Sequence, residues 1–472
     1  MSSTAIRPLW LGRSTDPPDV LALELSATVE EDRPLAPFDL DATRAHVGEL
    51  RRLGLIDAPG EAALDAALGQ IAEEIAAGTF AWQLGHEDVH MNVEAAMRDL
   101  VGPKLAGHLQ AGRSRNEEVV SDERRWLMDT VERLDGVLLA LERTLVTRAA
   151  AEADTILPAH THSQPAQPVL LAHHLLAYVE MLERDRGRLA DAAARANRSP
   201  AGSGAAVGSG LDLDRDGLAS RLGFAQPTAN SLDAVSDRDY ATELVAACAI
   251  GAGHLSRIAG ELVLWSTPYL GFARLADPFT SGSSMLPNKR NPDAAELVRA
   301  RAARLEGALA TVISLQRGLP LAYHRDLQET RRPMLDAAAS YELCLKVTEA
   351  MLASVSFNRE AMRFAAEKGH SRATALADRL MRAGVPFRDA HRRVGELVAL
   401  AERRGCDLAQ LPEADLTAAL PELAFEDRIM PDLSEALGAA NVPGGTAPGR
   451  VRAALAVAAD RLGLAMDAEQ PR

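Results

Sequence analysis

The feature that most limits how this chain can fold is a stretch without proline from Asn116 to about Ala153. Within it Val131, Leu134, Leu138, Leu141 and Leu145 recur at spacings of three and four, the period of one apolar helix face. A helix of that length cannot bury its stripe on itself, so it needs other long helices beside it. A second is predicted from Pro168 to about Asn197. A third carries Leu244, Cys248, Gly251, Leu255, Ile258, Leu262 and Trp265, a fourth Val298, Leu305, Ala308, Val312 and Leu315, and a fifth begins near Arg325. Composition agrees: hydrophobic residues make up 47% of the chain but aromatics only 4%, with alanine filling the difference, which favours helix over sheet. No period-2 strand series and no solenoid repeat is read. Apolar faces left over on one chain are expected to be covered by copies of itself.

The flanks differ in texture. The first forty residues are dotted with proline, and short amphipathic segments alternate with turns up to Pro103. After Phe357 the segments shorten again, with breaks at Gly384 to Pro386, Pro412, Pro421 and Pro443 to Gly449. The expected organisation is mainly α and in three parts: a mostly helical N-terminal domain over residues 1–111, a central long-helix bundle with a catalytic loop over 112–356, and a small helical C-terminal domain over 357–472. A formal charge of −15 repels polyanions, so no nucleic-acid partner is expected. Cys248, Cys344 and Cys406 lie far apart without a C-x-x-C, which argues against disulfides and zinc knuckles and suits a reducing cytoplasm. There is no basic-then-apolar leader and no apolar run long enough to span a bilayer, so no membrane association is expected.

Four polar segments stand at helix starts. Gly112 to Asn116 (G-R-S-R-N) reads either as an Asn116 N-cap with Glu117 and Glu118 in the first turn, or as an anion site built from Arg113, Ser114 and Arg115. His160 to Pro168 (H-T-H-S-Q-P-A-Q-P) is held extended by its prolines and displays His162 either structurally or for proton transfer. Its H-x-H pair has no third ligand nearby, so no metal is expected. Ala201 to Gly210 is rich in glycine, but a helical pattern precedes it where a dinucleotide fingerprint needs a strand, so no cofactor is expected. Downstream, Asn230 to Tyr240 is dense in capping residues, and Arg238 is either an ion-pair partner or part of the site. The fourth, Gly282 to Pro292 (G-S-S-M-L-P-N-K-R-N-P), gathers Ser283, Ser284, Lys289 and Asn291, with Asn291 predicted as N-cap and Pro292 in the first turn of the following helix. It is read as a carboxylate-binding loop that closes on substrate.

Together these segments resemble the fumarase/aspartase superfamily, and within it argininosuccinate lyase. G-S-S-M-L-P-N-K-R-N-P is similar to the superfamily signature, and G-R-S-R-N, T-H-S-Q-P-A-Q-P, N-S-L-D-A-V-S-D-R-D and G-L-P-L-A-Y-H-R-D-L-Q-E are similar to argininosuccinate lyase segments in the same order. The resemblance implies a homotetramer whose central bundle brings three chains to each active site, and a β-elimination releasing fumarate from a small-molecule N-substituted aspartate. It implies Ser283 as base, His162 as acid or proton relay, and Lys289 and Asn291 as stabilisers of developing charge. Ser114, Asn116 and Thr161 match binders of the succinyl half, and Tyr323 and Gln328 match positions holding the arginine half. The chain departs from the pattern at Arg331 (lysine in the family), Thr28 (a substrate-binding serine), Leu286, Asn288, His160, Pro165 and the W-L-G-R-S at Trp10 to Ser14. These departures leave two alternatives to argininosuccinate cleavage: a lyase for another N-succinyl amine, or a relative that kept the bundle without catalysis.

Overall fold

A computed structural model describes residues 19–465; the W-L-G-R-S segment at Trp10 to Ser14 lies outside them. Two compact units form, each from three stretches of chain. The first takes the residues up to Asp135, Gly187–Ala249 and Arg304–Ser340; the second takes Gly136–Arg186, Ile250–Ala303 and the chain from Tyr341 onward. The secondary structure is predominantly helical, as the composition predicts. No described helix is long and apolar enough to cross a membrane.

In the first unit α1 (Val20–Ser26) precedes α2 (Ala36–Arg52), α3 (Ala58–Ala76) and α4 (Val89–Val101). These three pack through Leu40, Val47, Leu50, Leu64, Leu68, Ile71, Val93 and Met97, all buried. Side-chain caps fix where they start: Asp57 accepts from the Gly60 N–H and Asp88 from the Met91 N–H, satisfying donors that the first turn would otherwise leave unpaired.

The long helices are α5 (Arg115–Ala151), α6 (Leu171–Ala196), α7 (Asp239–Trp265), α8 (Asp293–Gln316) and α9 (Arg331–Ser354). Leu134, Leu138, Leu141 and Leu145 of α5 are fully buried, as their spacing predicts. In the second unit α6 and α7 run antiparallel: His174 meets Glu261 and Asp185 meets His254, each pair at 2.7 Å. Ile250 and Leu264 of α7, Leu297 and Ile313 of α8 and Leu343 of α9 stay exposed on the chain. Near its C-terminal end the second unit has a further core, where Leu380, Val394, Leu397 and Leu408 join α10 (Ala373–Arg382) to α11 (Phe387–Arg404) across the predicted break at Gly384 to Pro386.

The helix predicted from Pro168 starts later, at Leu171, because Pro168 belongs to a hairpin whose strands show no period-2 apolar alternation. Strands β1 (Ile156–Thr161) and β2 (Gln164–Leu170) pair antiparallel, with Ile156 opposite Leu170 and Thr161 opposite Gln164. Proline replaces the alternating apolar residues there, and its missing N–H confines it to such two-stranded, edge-type pairing. A second, two-residue pairing joins β3 (Ala273–Arg274) to β4 (Ser356–Phe357). The two predicted caps also move. At α5 the cap is Ser114, whose carbonyl accepts from Glu117 at 3.0 Å and whose hydroxyl accepts from the Asn116 N–H at 3.3 Å. At α8 the Pro292 carbonyl accepts the first helical bond, from Glu296, while Asn291 pairs its backbone with Ser281. The predicted fifth helix opens with a 3₁₀ turn over Arg325–Thr330 before α9 begins.

Gly251 shows how tightly the long helices pack in the second unit. A Cβ there would sit 2.1 Å from the Tyr341 hydroxyl and 2.5 Å from its ring carbon Cζ. Tyr341 is fully buried and cannot move aside. Gly251→Ala is therefore expected to lower the thermal midpoint, the overpacking cost of about 1–3 kcal/mol outweighing the ~1 kcal/mol helix-propensity gain; an unchanged or higher midpoint refutes this packing.

Candidate active site

The first unit contains a pocket of about 540 Å³ whose polar walls come from four places. Ser26 ends α1 and Thr28 follows it, Glu87 and Asp88 precede α4, Arg115 and Asn116 open α5, and Tyr323, Arg325 and Gln328 lead into α9, which Arg331 opens. Of the residues expected from sequence to bind substrate, Thr28, Arg115, Asn116, Tyr323, Gln328 and Arg331 meet here.

Each wall is fixed by local chemistry. Asp88 accepts two bonds from Arg115 Nη1, both at 2.7 Å, while it caps α4, so one carboxylate sets the starts of two helices. Asn116 Nδ2 donates to the Ala205 carbonyl at 3.0 Å. That glycine-rich loop is further tied down where the Gly204 N–H reaches Glu117 Oε2 at 2.5 Å. Ala322 sits at φ 72, a left-handed conformation costly for alanine, directly before Tyr323. Gln328 Nε2 donates to the Ser26 carbonyl at 3.2 Å.

Arg331 is buried and double-paired: its Nη1 meets Asp32, and its Nε donates to Glu123 Oε1 at 2.8 Å. Asp32 also accepts from Thr28 Oγ1 at 2.5 Å, and Glu123 accepts from the Tyr240 hydroxyl. Arg238, the open case in the sequence, is fully buried with Nε 3.5 Å from Glu123, which makes it a structural partner. Arg113 is likewise ion-paired within the chain. Its Nε lies 2.9 Å from Glu118 and its Nη1 donates to Thr43 Oγ1 at 3.1 Å, beside a buried His46 whose pKa burial, together with Arg113, pushes down to about 3. Ser114 is occupied as the α5 cap. Neither Arg113 nor Ser114 lines the pocket.

Behind Asp88 lies a buried cluster of His90, Asp39 and Asp122, whose ligating atoms are within 4.8 Å of one another. His90 Nε2 is 2.9 Å from Asp122 and 3.8 Å from Asp39. Burial opposes the imidazolium, but Asp39, the bond to Asp122 and the Asp88 charge outweigh it and raise the His90 pKa to about 9. The charged form of His90 is thus favoured beside two acids whose own pKa values burial pushes up, Asp122 to about 7, and a shared proton of this kind suits the cluster to charge pairing rather than to metal ligation. For Asp88 burial pushes upward, yet Arg115 and His90 more than compensate and its pKa is lowered.

The remaining expected site residues belong to the second unit. Thr161 ends β1, and His162 and Ser163 form the hairpin turn at φ 53 and φ 58, both left-handed and both non-glycine. Such turns favour Asn-Gly, so a histidine here is held at the tip at a conformational cost. His162 is exposed, as are Ser284 and Lys289 in the other loop. The Ser283 hydroxyl accepts from the backbone N–H groups of Leu286 at 3.0 Å and Met285 at 3.3 Å, donors that favour an oxyanion at that oxygen. Asn291 Nδ2 contacts Ser281 Oγ at 3.3 Å.

Sequence reasoning missed Ser26, Asp32, Glu87, Asp88, Glu123 and Arg325 at this pocket or in its buried support. The run His86-Glu87-Asp88-Val89-His90, four titratable groups in five residues at a helix start, carries the same signal as the polar segments that were singled out.

Residues 12–307 match the family described as Lyase, and residues 370–442 match the family described as Argininosuccinate lyase C-terminal. An argininosuccinate lyase from Hyphomonas neptunium is 46% identical over 411 residues, covering 87% of this chain and 88% of the relative. One from Maricaulis maris is 44% identical over 458 residues, 96% of each. Among solved structures, an EDDS lyase with bound fumarate superimposes with a TM-score of 0.81 at 26% identity, covering 94% of this chain and 89% of that one.

The His90 cluster makes stability depend on pH in a definite sense. Because the folded pKa of about 9 lies above the ordinary histidine value of 6.5, the contribution of His90 is complete below about pH 6.5 and disappears as pH rises through about 9. Thermal midpoints are expected to fall from pH 7 to 9.5, and His90→Gln is expected to flatten that slope; equal slopes in the two proteins would remove His90 as its source.

Proposed function

The chain belongs to the argininosuccinate lyase family of carbon–nitrogen lyases, and we propose that it cleaves argininosuccinate to arginine and fumarate. What carries this reading is the convergence of Thr28, Arg115, Asn116, Tyr323, Gln328 and Arg331 on one pocket in a chain 44% identical to an argininosuccinate lyase over 96% of its length. In the proposed reaction Ser283 removes a proton from the succinyl carbon next to a carboxylate, leaving an aci-carboxylate. Lys289 and Asn291 stabilise that charge as it develops, where each such contact lowers the barrier more than it tightens substrate binding. The C–N bond then breaks, its electron pair leaves with the guanidino nitrogen, and a proton relayed through His162 to that nitrogen yields arginine, with fumarate as the dianion.

Ser283 suits the role of base because two backbone N–H groups already point at its oxygen, lowering the cost of the alkoxide. Ser284 and Thr161 are assigned to the succinyl carboxylates. Tyr323, whose phenol pKa is raised by burial, stays neutral and donates a hydrogen bond to the amine half with Gln328. Each site is assembled from three chains of a homotetramer, which would cover the exposed Leu297, Ile313 and Leu343 and wall in the exposed His162 and Lys289. A cytoplasmic location suits Cys248, Cys344 and Cys406, which form no disulfide with one another. A different N-succinyl amine as substrate is the second reading, favoured by Arg331 standing where the family pattern has lysine.

Fumarate absorbance on adding argininosuccinate tests the substrate directly: rapid release is expected, and its absence sinks the assignment in favour of the second reading. Ser283→Ala is expected to lower kcat by roughly 10²-fold or more. Mixing Ser283→Ala with Gln328→Ala subunits is expected to regain activity, since some composite sites then receive two intact contributions; no recovery on reassembly contradicts shared sites.

A further inference from the structure

The loop over 282–290 leaves the second unit and returns to it through a narrow neck. The Ser281 N–H donates to the Asn291 carbonyl at 3.1 Å, and the Asn291 N–H to the Ser281 carbonyl at 2.8 Å. Two bonds fix where the loop starts and ends but not how the residues between them stand. Inside the loop the Ser283 hydroxyl accepts from Met285 and Leu286, and the Lys289 N–H donates to the Leu286 carbonyl at 3.1 Å. These bonds shape the loop without tying it to anything else. Among the described residues, Arg290 is the side chain of this loop that hydrogen-bonds beyond it: Nη2 donates to the Leu275 carbonyl at 2.8 Å and meets Asp277 Oδ1.

The two acceptors are unequal. Asp277 is 83% exposed, and an ion pair so open to water adds little. Leu275 is buried and directly follows β3, which is held by its pairing with β4 and by the Asn358 N–H on the Phe272 carbonyl at 2.8 Å. Its carbonyl is a fixed point, and Arg290 ties the returning limb of the loop to it. Asn291 lies in an antiparallel bridge, so the limb is extended there, and successive side chains of an extended segment leave on opposite faces. Drawing Arg290 toward Leu275 therefore turns Lys289 and Asn291 together to the other face.

We propose that Arg290 is a positioning residue of the elimination: anchored on the Leu275 carbonyl, it orients the limb that presents Lys289 and Asn291 to the developing charge. This rests on the roles given above to Ser283, Lys289 and Asn291. Two adjacent cations in the sequence then have separate tasks, one facing the reacting end of the substrate and one holding the frame. Because the oriented groups act on charge that appears during reaction, loss of the anchor is felt in kcat rather than in KM.

The test measures argininosuccinate cleavage, thermal midpoint and hydrogen exchange over residues 281–291 in the intact protein, for wild type, Arg290→Ala, Arg290→Lys and Asp277→Ala. Arg290→Ala is expected to lower kcat by roughly 10- to 100-fold with KM within about 3-fold of wild type. Its midpoint is expected to stay unchanged, while the Ser281 and Asn291 amides at the neck exchange faster. Asp277→Ala keeps the carbonyl anchor and is expected to cost less than about 5-fold. Arg290→Lys retains the charge but cannot span both acceptors, so its kcat is expected between those of wild type and Arg290→Ala. An unchanged kcat in Arg290→Ala, a raised KM with kcat intact, a kcat loss in Asp277→Ala as large as in Arg290→Ala, or unchanged exchange at the neck each overturns the proposal. Exchange is read without substrate, so a wild-type protein that releases no fumarate, or a Ser283→Ala variant that stays fully active, overturns the underlying reading separately from the anchor.

Discussion

Arg331 and its two carboxylates are the constraint on which the first unit's pocket depends. One guanidinium reaches Asp32 through Nη1 and Glu123 through Nε, joining the short helix Val29–Asp32, the first third of α5 and the start of α9. All three side chains are almost completely buried. Removing any one would leave an uncompensated charge in a dry interior, a loss of about 3–5 kcal/mol. From this node Thr28 is held by Asp32, and Tyr240 and Arg238 by Glu123. The same geometry accounts for arginine where the family pattern has lysine. A planar fork can serve two carboxylates at different angles, whereas an ammonium is a single point charge on a flexible stem. What looks in the sequence like a change in substrate recognition is, in the structure, also a change in the scaffold.

Rigid and exposed parts of the proposed machinery are sorted by chemistry. Residues proposed to bind the amine half sit in a pocket built from helix starts and buried ion pairs. Groups proposed to move protons, His162 and Ser283, sit on a hairpin tip and a loop whose side chains face solvent on the chain. An elimination through a doubly charged intermediate needs a dry site, where each hydrogen bond to the developing charge counts for more than in water. Exposed loops can supply that only when something closes over them. The apolar residues left uncovered on α7, α8 and α9 are consistent with the proposed neighbouring chains doing so.

The long helices were legible in the sequence because their signal is local and repeated: Leu134, Leu138, Leu141 and Leu145 each report the same face, and each is buried. Helix starts were less legible. In G-R-S-R-N both Ser114 and Asn116 are good caps, and propensity cannot rank them; the Asn116 side chain is drawn instead to Ala205, 89 residues away. The β1–β2 hairpin was hidden because proline occupies positions where alternation would show. For the site, the motif residues were found because they cluster in sequence, but their partners do not. Glu117 and Glu118 look like a solvated acidic first turn, and Asp122 and Glu123 continue the acidic run beyond it, yet all four are buried and paired with groups brought from Gly204, Arg113, His90 and Arg331. Electrostatic partnership is a property of the fold, and a one-dimensional reading sees only its nearest-neighbour part.

The charge balance of the pocket bears on how the proposed substrate divides between its two ends. Every cation lining it faces an acid: Arg115 meets Asp88, Arg325 meets Glu87 and Arg331 meets Asp32 and Glu123. A cavity so neutralised, in a chain of net charge −15, has little attraction left for a succinyl dianion. It suits a group that is itself cationic or zwitterionic, as the arginine half is. The dianion's compensation must then come from outside the pocket's own walls, and the residues assigned to it have the required character: the Lys289 ammonium, the Asn291 amide and the positive end of α8 just beyond. Separating the two ends in this way keeps the stabilising charge on the loop that carries the base, so that it acts where the negative charge grows during reaction and adds little to binding before it.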